Sequence, residues 1–339
     1  MRRAALVVLS LALALLFAAG ASARPLGLAL SPRSFTQPAL RPAVAPAPAR
    51  RKAPVHHRAN ARPHRRVPRA TISLYERTTR RTVLRRQGCQ AAKRRVGGIV
   101  ILDFGKPASN GHTYGTILFS NRFAGNREIT LAMLAYAGGY RYCLRRGSKA
   151  TIVLARGTSN YHPSVPSTFK AGRKWARETM QLARWLDRLG FDSHVASAAA
   201  IDAEPAWDPR FHGTRNFFRG YRVAGIGRPL YNYGSLDGGV GSYWSARQAF
   251  YVTGGMRYAR PIPEIYNRTM AKQWAHLAWV AQRHFHKQIH FAGVMTQHVE
   301  GCGRCGYLPP SAHKALVREL AARHVRVPVP SVTNIRSAD

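Results

Sequence analysis

The stretch that decides the fold is Ala198-Ala199-Ala200-Ile201-Asp202-Ala203-Glu204-Pro205-Ala206-Trp207. Its first half is small and apolar, as is typical of a buried strand. A period of two puts the side chains of Asp202 and Glu204 on the same side of such a strand. Pro205 ends the pairing because proline has no N–H and fixes its own φ. The stretch therefore predicts a strand whose carboxyl end presents two acids, with the aromatic face of Trp207 just beyond.

These two acids stand out because acids are scarce in the chain. The 339 residues include 53 Lys and Arg against 14 Asp and Glu, which gives a formal net charge of +39. The excess of positive charge is most pronounced in the first 95 residues, because Glu76 is their only acid. This balance favours polyanions as partners of the basic tail.

The sequence of residues 1–95 predicts an export signal and a linker rather than a folded domain. The first 23 residues have a charged start, an apolar core and a small-residue cleavage site at Ala21-Ser22-Ala23, and they predict a secretory signal peptide. An uncleaved anchor is the alternative, and no later segment is long and apolar enough to span a bilayer. Residues 24–95 are rich in Pro, Ala and Arg, and they predict a disordered basic linker. The folded domain is expected over residues 96–330.

Export narrows the expected partners. A protein that is secreted or associated with the cell wall meets anionic cell-wall polymers, lipid head groups and extracellular DNA. We expect the basic tail to bind anionic cell-wall polymers, and we expect no specific nucleic acid.

Four cysteines fit an oxidising compartment, namely Cys89, Cys143, Cys302 and Cys305. They allow three pairings, of which we favour Cys302–Cys305 together with Cys89–Cys143. A zinc site would need two more ligands at good spacing, and no second CxxC exists. No glycine-rich phosphate-binding motif follows a predicted strand. We therefore expect neither a metal nor a cofactor.

Strand and helix patterns alternate at least six times after residue 95, which favours a parallel sheet with helical crossovers. The count fits an α/β fold of the (β/α)8 barrel type, with one or two strands irregular or missed. A doubly wound open sheet is the alternative.

In a parallel barrel, catalytic groups come from the carboxyl ends of the strands and the loops that follow them. Five acids fall there in the predicted order: Asp103, Asp202, Glu204, Asp237 and Glu264. Polar and aromatic residues at the same level complete a predicted substrate-binding set, which comprises Trp207, Tyr231, Asn232, Tyr233, Asp237, Glu264, Tyr266, Asn160 and Gln297.

Such a set allows glycoside hydrolysis, in which one carboxylic acid protonates the leaving oxygen and a second carboxylate attacks the anomeric carbon or activates water. Glu204 is the predicted general acid because its longer arm reaches further from the strand end. Asp202 would raise the pKa of Glu204 and help to keep it protonated. Asp103 or Asp237 would be the second carboxylate, and Trp207 would stack on a sugar face.

Asp103 after the first predicted strand, the Asp202-x-Glu204 pair and Gln297 at the end of a late strand together resemble the glycoside-hydrolase-like barrels of the family 25 lysozyme type. The resemblance implies that the Asp-x-Glu pair supplies the catalytic acid and its neighbour, and that the substrate is peptidoglycan. The chain also resembles secreted actinobacterial proteins of unassigned function with a related barrel.

Two departures from related enzymes bear on activity. Chitinases carry additional acids where this chain has Ser197 and Ala200, so a chitinase mechanism is not expected. The first predicted strand ends in Leu102-Asp103-Phe104-Gly105 rather than in the Asp-x-Ser form common in family 25 lysozymes. Three functions stay open: a secreted glycoside hydrolase acting on a cell-wall or other polysaccharide, a non-catalytic carbohydrate- or cell-wall-binding barrel, and a basic polyanion-binding surface protein.

Overall fold

The computed structural model describes residues 69–161, 165, 167–298 and 306–338. The predicted signal peptide and the predicted linker up to residue 68 therefore lie outside the described residues. Cys302 and Cys305 lie outside them as well.

The described chain alternates between strands and helices, as the sequence predicts. No helix in these ranges is long and apolar enough to cross a bilayer. In chain order the elements are β1 (Arg69–Tyr75), α1 (Arg81–Lys93), β2 (Gly98–Asp103), β3 (Lys106–Ser109), β4 (Tyr114–Ile117), β5 (Phe123–Gly125), α2 (Asn126–Cys143), β6 (Ile152–Gly157), α3 (Thr168–Arg188), β7 (Val195–Ile201), α4 (His212–Ala224), β8 (Leu230–Asn232), α5 (Ala246–Phe250), β9 (Ala259–Pro261), α6 (Arg268–His284), β10 (Val294–Thr296), α7 (Pro309–Ala322) and β11 (Ser331–Ser337).

Eight parallel strands form a nearly closed barrel in the order β10-β11-β1-β2-β6-β7-β8-β9. The two end strands meet through the chain that follows β9: the N–H of Met295 donates to the carbonyl of Pro263 at 2.9 Å, and the N–H of Ile265 donates to the carbonyl of Met295 at 2.9 Å. The α/β barrel prediction is thus confirmed. Strands β3, β4 and β5 form a separate antiparallel sheet inserted after β2.

The folded domain begins earlier than residue 96, so the predicted boundary of the linker is wrong within the described residues. Strand β1 pairs with β11 over seven residues, from Arg69 opposite Ser331 to Tyr75 opposite Ser337. Helix α1 buries Leu84 on the barrel side while its basic residues stay exposed. The basic composition of this segment therefore reflects a solvated helix face.

The second half of the barrel contains a helical segment between β8 and β9. Ser245 and Gln248 form a reciprocal capping box that starts α5 at Ala246, and a π-helical turn continues over Tyr251–Gly255. The last barrel strand is β11 at Ser331–Ser337, so the domain extends past residue 330, where the sequence predicts its end.

A disulfide joins Cys89 in α1 to Cys143 in α2, as predicted for this pair. The two helices also touch backbone to backbone. A Cβ on Gly88 would lie 2.0 Å from the carbonyl oxygen of Tyr136, so this position accepts only glycine. The crosslink and the close approach together fix the first two helices against each other.

The position of β1 in the barrel yields a truncation test. A chain that begins at His64 should fold cooperatively, whereas a chain that begins at Val96 should not, because it lacks the strand that joins β11 to β2. Thermal melts and far-UV circular dichroism of the two truncated chains check this. A cooperative melt from the Val96 chain would contradict the assignment of β1 as a barrel strand.

The disulfide yields a stability test. Replacing Cys89 and Cys143 by Ser should lower the free energy of unfolding by about 2–4 kcal/mol, since the crosslink spans 54 residues and restricts the unfolded chain. Urea denaturation of the wild type and the double variant measures the difference. Dithiothreitol should bring the wild type close to the variant; equal midpoints without reductant would contradict a structural role.

Candidate active site

A cleft of about 690 Å³ opens at the carboxyl ends of the barrel strands. Its lining combines acidic, aromatic and amide side chains from several strand ends with side chains of the small β3–β5 sheet. The lining residues are Tyr75, Asp103, Gly105, Lys106, Ile117, Leu118, Phe119, Asn121, Ser159, Tyr161, Asp202, Trp207, Gln297 and Ser337.

Strand register brings the acids to one level. Asp103 lies opposite Tyr75 in β1 and opposite Gly157 in β6, and Ser159 bridges to Asp202. Gly157 has no side chain, and neighbouring residues occupy the space that a side chain at this position would need. A Cβ there would lie 3.0 Å from the hydroxyl oxygen of Tyr233 and 2.9 Å from the Cα of Asp103.

The acids at this end of the barrel have no cation as a partner. Among the described residues, the ion pairs are made by Glu128 and Glu319, neither of which lines the cleft. The chain carries 53 Lys and Arg, so pairing partners are abundant elsewhere. The structure therefore leaves its central carboxyl groups unpaired, although a cationic environment is available.

Asp103 is almost completely buried, with 2% of its surface exposed. Burial raises its pKa to about 7, while the N–H of Gly105, at 2.8 Å from Oδ1, and the nearby hydroxyl of Tyr233 act in the opposite direction. The hydroxyl of Tyr233 meets no partner with full hydrogen-bond geometry, so its effect on Asp103 is that of a close, imperfectly aligned donor.

Asp202 is 7% exposed, and its Oδ1 has no hydrogen-bond partner in the described part of the chain. Burial raises its pKa well above the ordinary value, and the negative charges of Glu264, Glu204 and Asp103 add to the effect. Glu264 is 4% exposed, and burial followed by the charge of Glu204 raises its pKa in the same way, while the hydroxyl of Tyr266 lowers it.

Glu204 lies in the loop after β7, just beyond Asp202. The side chain of Asn160 fixes its main chain: Nδ2 donates to the carbonyl of Glu204 at 2.9 Å, and Oδ1 accepts from its N–H at 3.2 Å. The N–H of Ser235 donates to Oε1 of Glu204 at 3.4 Å. Burial and the charge of Asp237 raise the pKa of Glu204. Glu204 itself is not part of the cleft lining.

Some of the predicted substrate-binding residues reach the cleft. Trp207 ends a 3₁₀ turn over Pro205–Trp207, is 40% exposed and lines the cleft. Gln297 also lines the cleft, and its Oε1 accepts a hydrogen bond from the hydroxyl of Tyr266 at 3.1 Å. Trp207 and Gln297 thus line the cleft, whereas Tyr266 is not part of the lining and contacts it through this hydrogen bond.

Other predicted binding residues are occupied in holding the fold. Asn160 and Asn232 are both 1% exposed, and Oδ1 of Asn232 accepts from the N–H groups of Ala203 and Gly234, each at 3.2 Å. Asp237 accepts from the N–H of Ala206 at 2.7 Å. Their side chains shape the loops after β7 and β8 and do not line the cleft.

Two predicted tyrosines lie inside the barrel, contrary to expectation. Tyr231 lines a separate pocket with Tyr258, Arg260 and His290, which is distinct from the cleft at the carboxyl ends. Tyr233 is fully buried next to Asp103. Neither residue presents its ring to the cleft.

Sequence reasoning missed several cleft residues. Tyr75 lies in the segment predicted as linker, and Lys106 and Phe119 belong to the inserted β3–β5 sheet region. The signal for Tyr75 was present in the sequence, because Glu76 next to it is the only acid before residue 96. Glu76 is fully buried, and burial raises its pKa to about 8.

No group of three or more His, Cys, Asp or Glu side chains in the described ranges is placed to hold a metal ion. The absence of a metal and of a cofactor stays a prediction from the sequence.

Comparison with known proteins assigns the chain to no family. No protein-family model matches the chain, and no curated protein is similar to it. Among solved structures, it is similar to a candidate mandelate racemase/muconate lactonizing enzyme from Labrenzia alexandrii DFL-11, at 12% sequence identity and a TM-score of 0.31. The match covers 79% of this chain and 55% of that enzyme, so the chain spans about half of its length. No family model supports the resemblance to family 25 lysozymes.

The buried acid Asp103 gives a pH test of stability. Its pKa is raised from 3.8 to about 7, so the folded state holds a proton that the unfolded state releases between these values. Stability from this group is therefore complete below about pH 4 and falls until about pH 7. In Asp103→Asn, the free energy of unfolding should lack this decrease of up to about 4 kcal/mol between pH 4 and pH 7. Urea denaturation of both proteins at pH 4, 5.5 and 7 measures the difference. Parallel pH profiles for variant and wild type would contradict the raised pKa.

Proposed function

We propose that the protein is a secreted glycoside hydrolase that acts on a cell-wall or other polysaccharide, with Glu204 as general acid and Asp202 and Asp103 as supporting carboxylates. One observation carries this proposal: unpaired, buried acids gather beside an aromatic-lined cleft at the carboxyl end of a parallel barrel. The resemblance to family 25 lysozyme-type barrels favours peptidoglycan as the substrate.

The proposed reaction divides the work between two kinds of carboxyl group. Protonated Glu204 gives its proton to the glycosidic oxygen as the bond to the anomeric carbon breaks. An ionised carboxylate, Asp202 or Asp103, attacks that carbon or activates a water that does so. If the carboxylate attacks, water then displaces it from the anomeric carbon and returns a proton to Glu204. If the carboxylate activates water, it takes the proton of that water, and the solvent restores the proton of Glu204 and removes that of the base.

The surroundings of Glu204 fit the role of a general acid. Burial and the charge of Asp237 raise its pKa, which keeps it protonated at higher pH than a free glutamate. Asn160 forms two hydrogen bonds with the main chain of Glu204, which fixes the backbone position from which the carboxyl side chain extends. Trp207 offers the stacking face that sugar rings use.

A second candidate function is a non-catalytic carbohydrate- or cell-wall-binding barrel. The observation that favours it is the position of Glu204 outside the cleft lining, whereas Asp103 and Asp202 are part of that lining. In this alternative the same cleft binds a glycan, and no carboxyl group reaches the glycosidic oxygen.

We propose in addition that the basic region before the barrel binds anionic cell-wall polymers and keeps the exported protein at the wall. The charge of the first 68 residues supports this, since they include 12 Lys and Arg and no acid. Such binding would weaken steeply with added salt and would be independent of Glu204.

Glu204→Gln separates the two candidate functions. On peptidoglycan and a panel of neutral and acidic glycans, wild type should release reducing ends, and the variant should lose about 10²–10⁴-fold in kcat because it lacks the proton. Binding of the same glycans, measured by calorimetry, should be retained.

Glu128→Gln is the matched control, since Glu128 lies in a surface ion pair with Arg122 and outside the cleft lining. Equal turnover in Glu204→Gln and wild type would reject the assignment of the acid. Binding without turnover in both would favour the binding barrel.

A further inference from the structure

A groove of about 260 Å³ lies on the outer face of the barrel, between helix α1 and strands β1 and β11. Strand β11 is followed by no helix in the described part of the chain, so this face lacks the helix that a further crossover would supply. Ile72 and Leu74 of β1 line the groove and are only half-buried. Because three arginines also line it, we call it the arginine groove; they are Arg86, Arg94 and Arg336.

The three arginines have no acidic partner. Arg86 lies in α1, Arg94 caps the carboxyl end of that helix, and Arg336 lies in β11. None of them forms an ion pair within the described ranges, and no Asp or Glu of those ranges lines the groove. Three guanidinium groups therefore share one space without a countercharge. The planar guanidinium group matches the oxygens of a phosphate, so the lining favours a phosphate-bearing ligand.

A buried acid that contacts the lining does not supply the missing charge. Gln87 lines the groove, and its Nε2 donates to Oε2 of Glu76 at 3.4 Å. Glu76 is fully buried, and burial raises its pKa to about 8, so this carboxyl group is mainly protonated at neutral pH. It therefore opposes a bound anion only weakly.

The amide of Gln87 also has a group to offer to a ligand. Its Oε1 is buried without a hydrogen-bond partner among the described residues. A buried amide group without a partner costs free energy. A hydroxyl group can meet it, since a hydroxyl both donates and accepts hydrogen bonds. The groove thus combines cations for phosphate with an amide for a hydroxyl group.

The arginines form a strip of charge rather than a point. Arg86 and Arg94 are eight residues apart in the sequence, which corresponds to about 12 Å along the axis of α1. Arg336 supplies a further cation from the strand on the other side of the groove. A strip of this length fits a chain that carries phosphates at intervals.

The aromatic content of the groove argues against a nucleic acid as that chain. Single-stranded nucleic acids bind largely by stacking their bases on accessible aromatic rings. Among the described residues that line the groove, the aromatic ring is that of Tyr136, which is only 2% exposed. The lining therefore recognises phosphate and hydroxyl groups but offers no ring for a base.

We infer that the arginine groove is a binding site for a phosphodiester polymer of polyols, which is one of the anionic polymer classes that an exported protein meets at a cell wall. The site belongs to the barrel and is separate from the basic region before residue 69. Ser337 lines both the groove and the cleft, so a polymer held in the groove lies beside the candidate active site.

Replacing Arg86, Arg94 and Arg336 by Gln removes the three charges and keeps polar side chains. We expect the full-length triple variant to bind a glycerol phosphate oligomer that spans α1 about ten- to hundredfold more weakly than wild type in calorimetry. The slope of log K against log salt, measured between about 0.05 and 0.2 M, should become shallower by about two. Both proteins retain the basic region before residue 69, so the difference reports the groove.

Replacing Arg173, Arg177 and Arg184 by Gln gives the matched control. These arginines line a different depression, between α3 and α4, which also contains Glu178, and their loss changes the net charge by the same amount. The control should bind with nearly the affinity of wild type, and thermal melts report that both variants fold. An equal loss in the two triple variants, or no binding by wild type, would overturn the inference.

Two further ligands test the chemistry of the partner. They are glycerol 3-phosphate and a thymidine oligonucleotide with as many phosphates as the oligomer. The groove substitutions should cost most affinity for the oligomer. A larger loss for the oligonucleotide would assign the groove to nucleic acid, and a monomer that binds as tightly as the oligomer would reduce it to a site for free phosphate; either result would overturn the inference.

A second measurement needs no variant. Phenylglyoxal modifies accessible arginines, and mass spectrometry of peptides gives the rate at each position. With the oligomer at about ten times its Kd, the rate at the arginines of the groove should fall about tenfold, while the rate at the control arginines should stay unchanged. Binding without protection of the groove would overturn the inference. Neither measurement involves cleavage, so both outcomes are independent of the proposed glycoside hydrolysis.

Discussion

The pairing of the first barrel strand with the last is the contact on which the site depends. Strand β1 runs beside β11 for seven residues and beside β2 at its carboxyl end, so it joins the two edges of what would otherwise be an open sheet. This register sets Tyr75 level with Asp103 and Ser337. Because every barrel strand is parallel, the remaining strand ends arrive at the same level, and the cleft forms there.

Burial without countercharge then determines the chemistry available at that end. Carboxyl groups that share a small space of low dielectric cannot all ionise, since each charge raises the pKa of the next. Burial raises the pKa of Asp103 to about 7, and burial together with neighbouring negative charges raises the pKa of Asp202 and of Glu264 well above the ordinary values. A site of this kind contains acids and potential bases together, which is what hydrolysis of a glycosidic bond requires.

The sequence was sufficient to predict the parallel barrel and the Asp202–Glu204 strand end, because buried strands and amphipathic helices carry strong periodic signals. Strand β1 was assigned to the linker because basic residues flank it, although Ile72 and Leu74 alternate with polar residues. Its polar side chains face inward, where Ser73 and Thr333 bond to each other at 2.9 Å, so the strand differs from the continuous apolar runs of its neighbours. Asn160 and Asn232 show a second limit. A short amide at a strand end can face a ligand or hold a loop, and only the tertiary contacts decide between these roles.

The two ends of the described chain differ in their relation to the cleft. Arg69 begins β1 at the amino end of the barrel, whereas Ser337 ends β11 on the cleft lining. The chain therefore enters the barrel at Arg69, on the side away from the cleft. An affinity tag or immobilising group added after Ala338 would instead sit beside the mouth of the cleft. For experiments on a surface, the protein is therefore best attached through the amino-terminal side of the barrel.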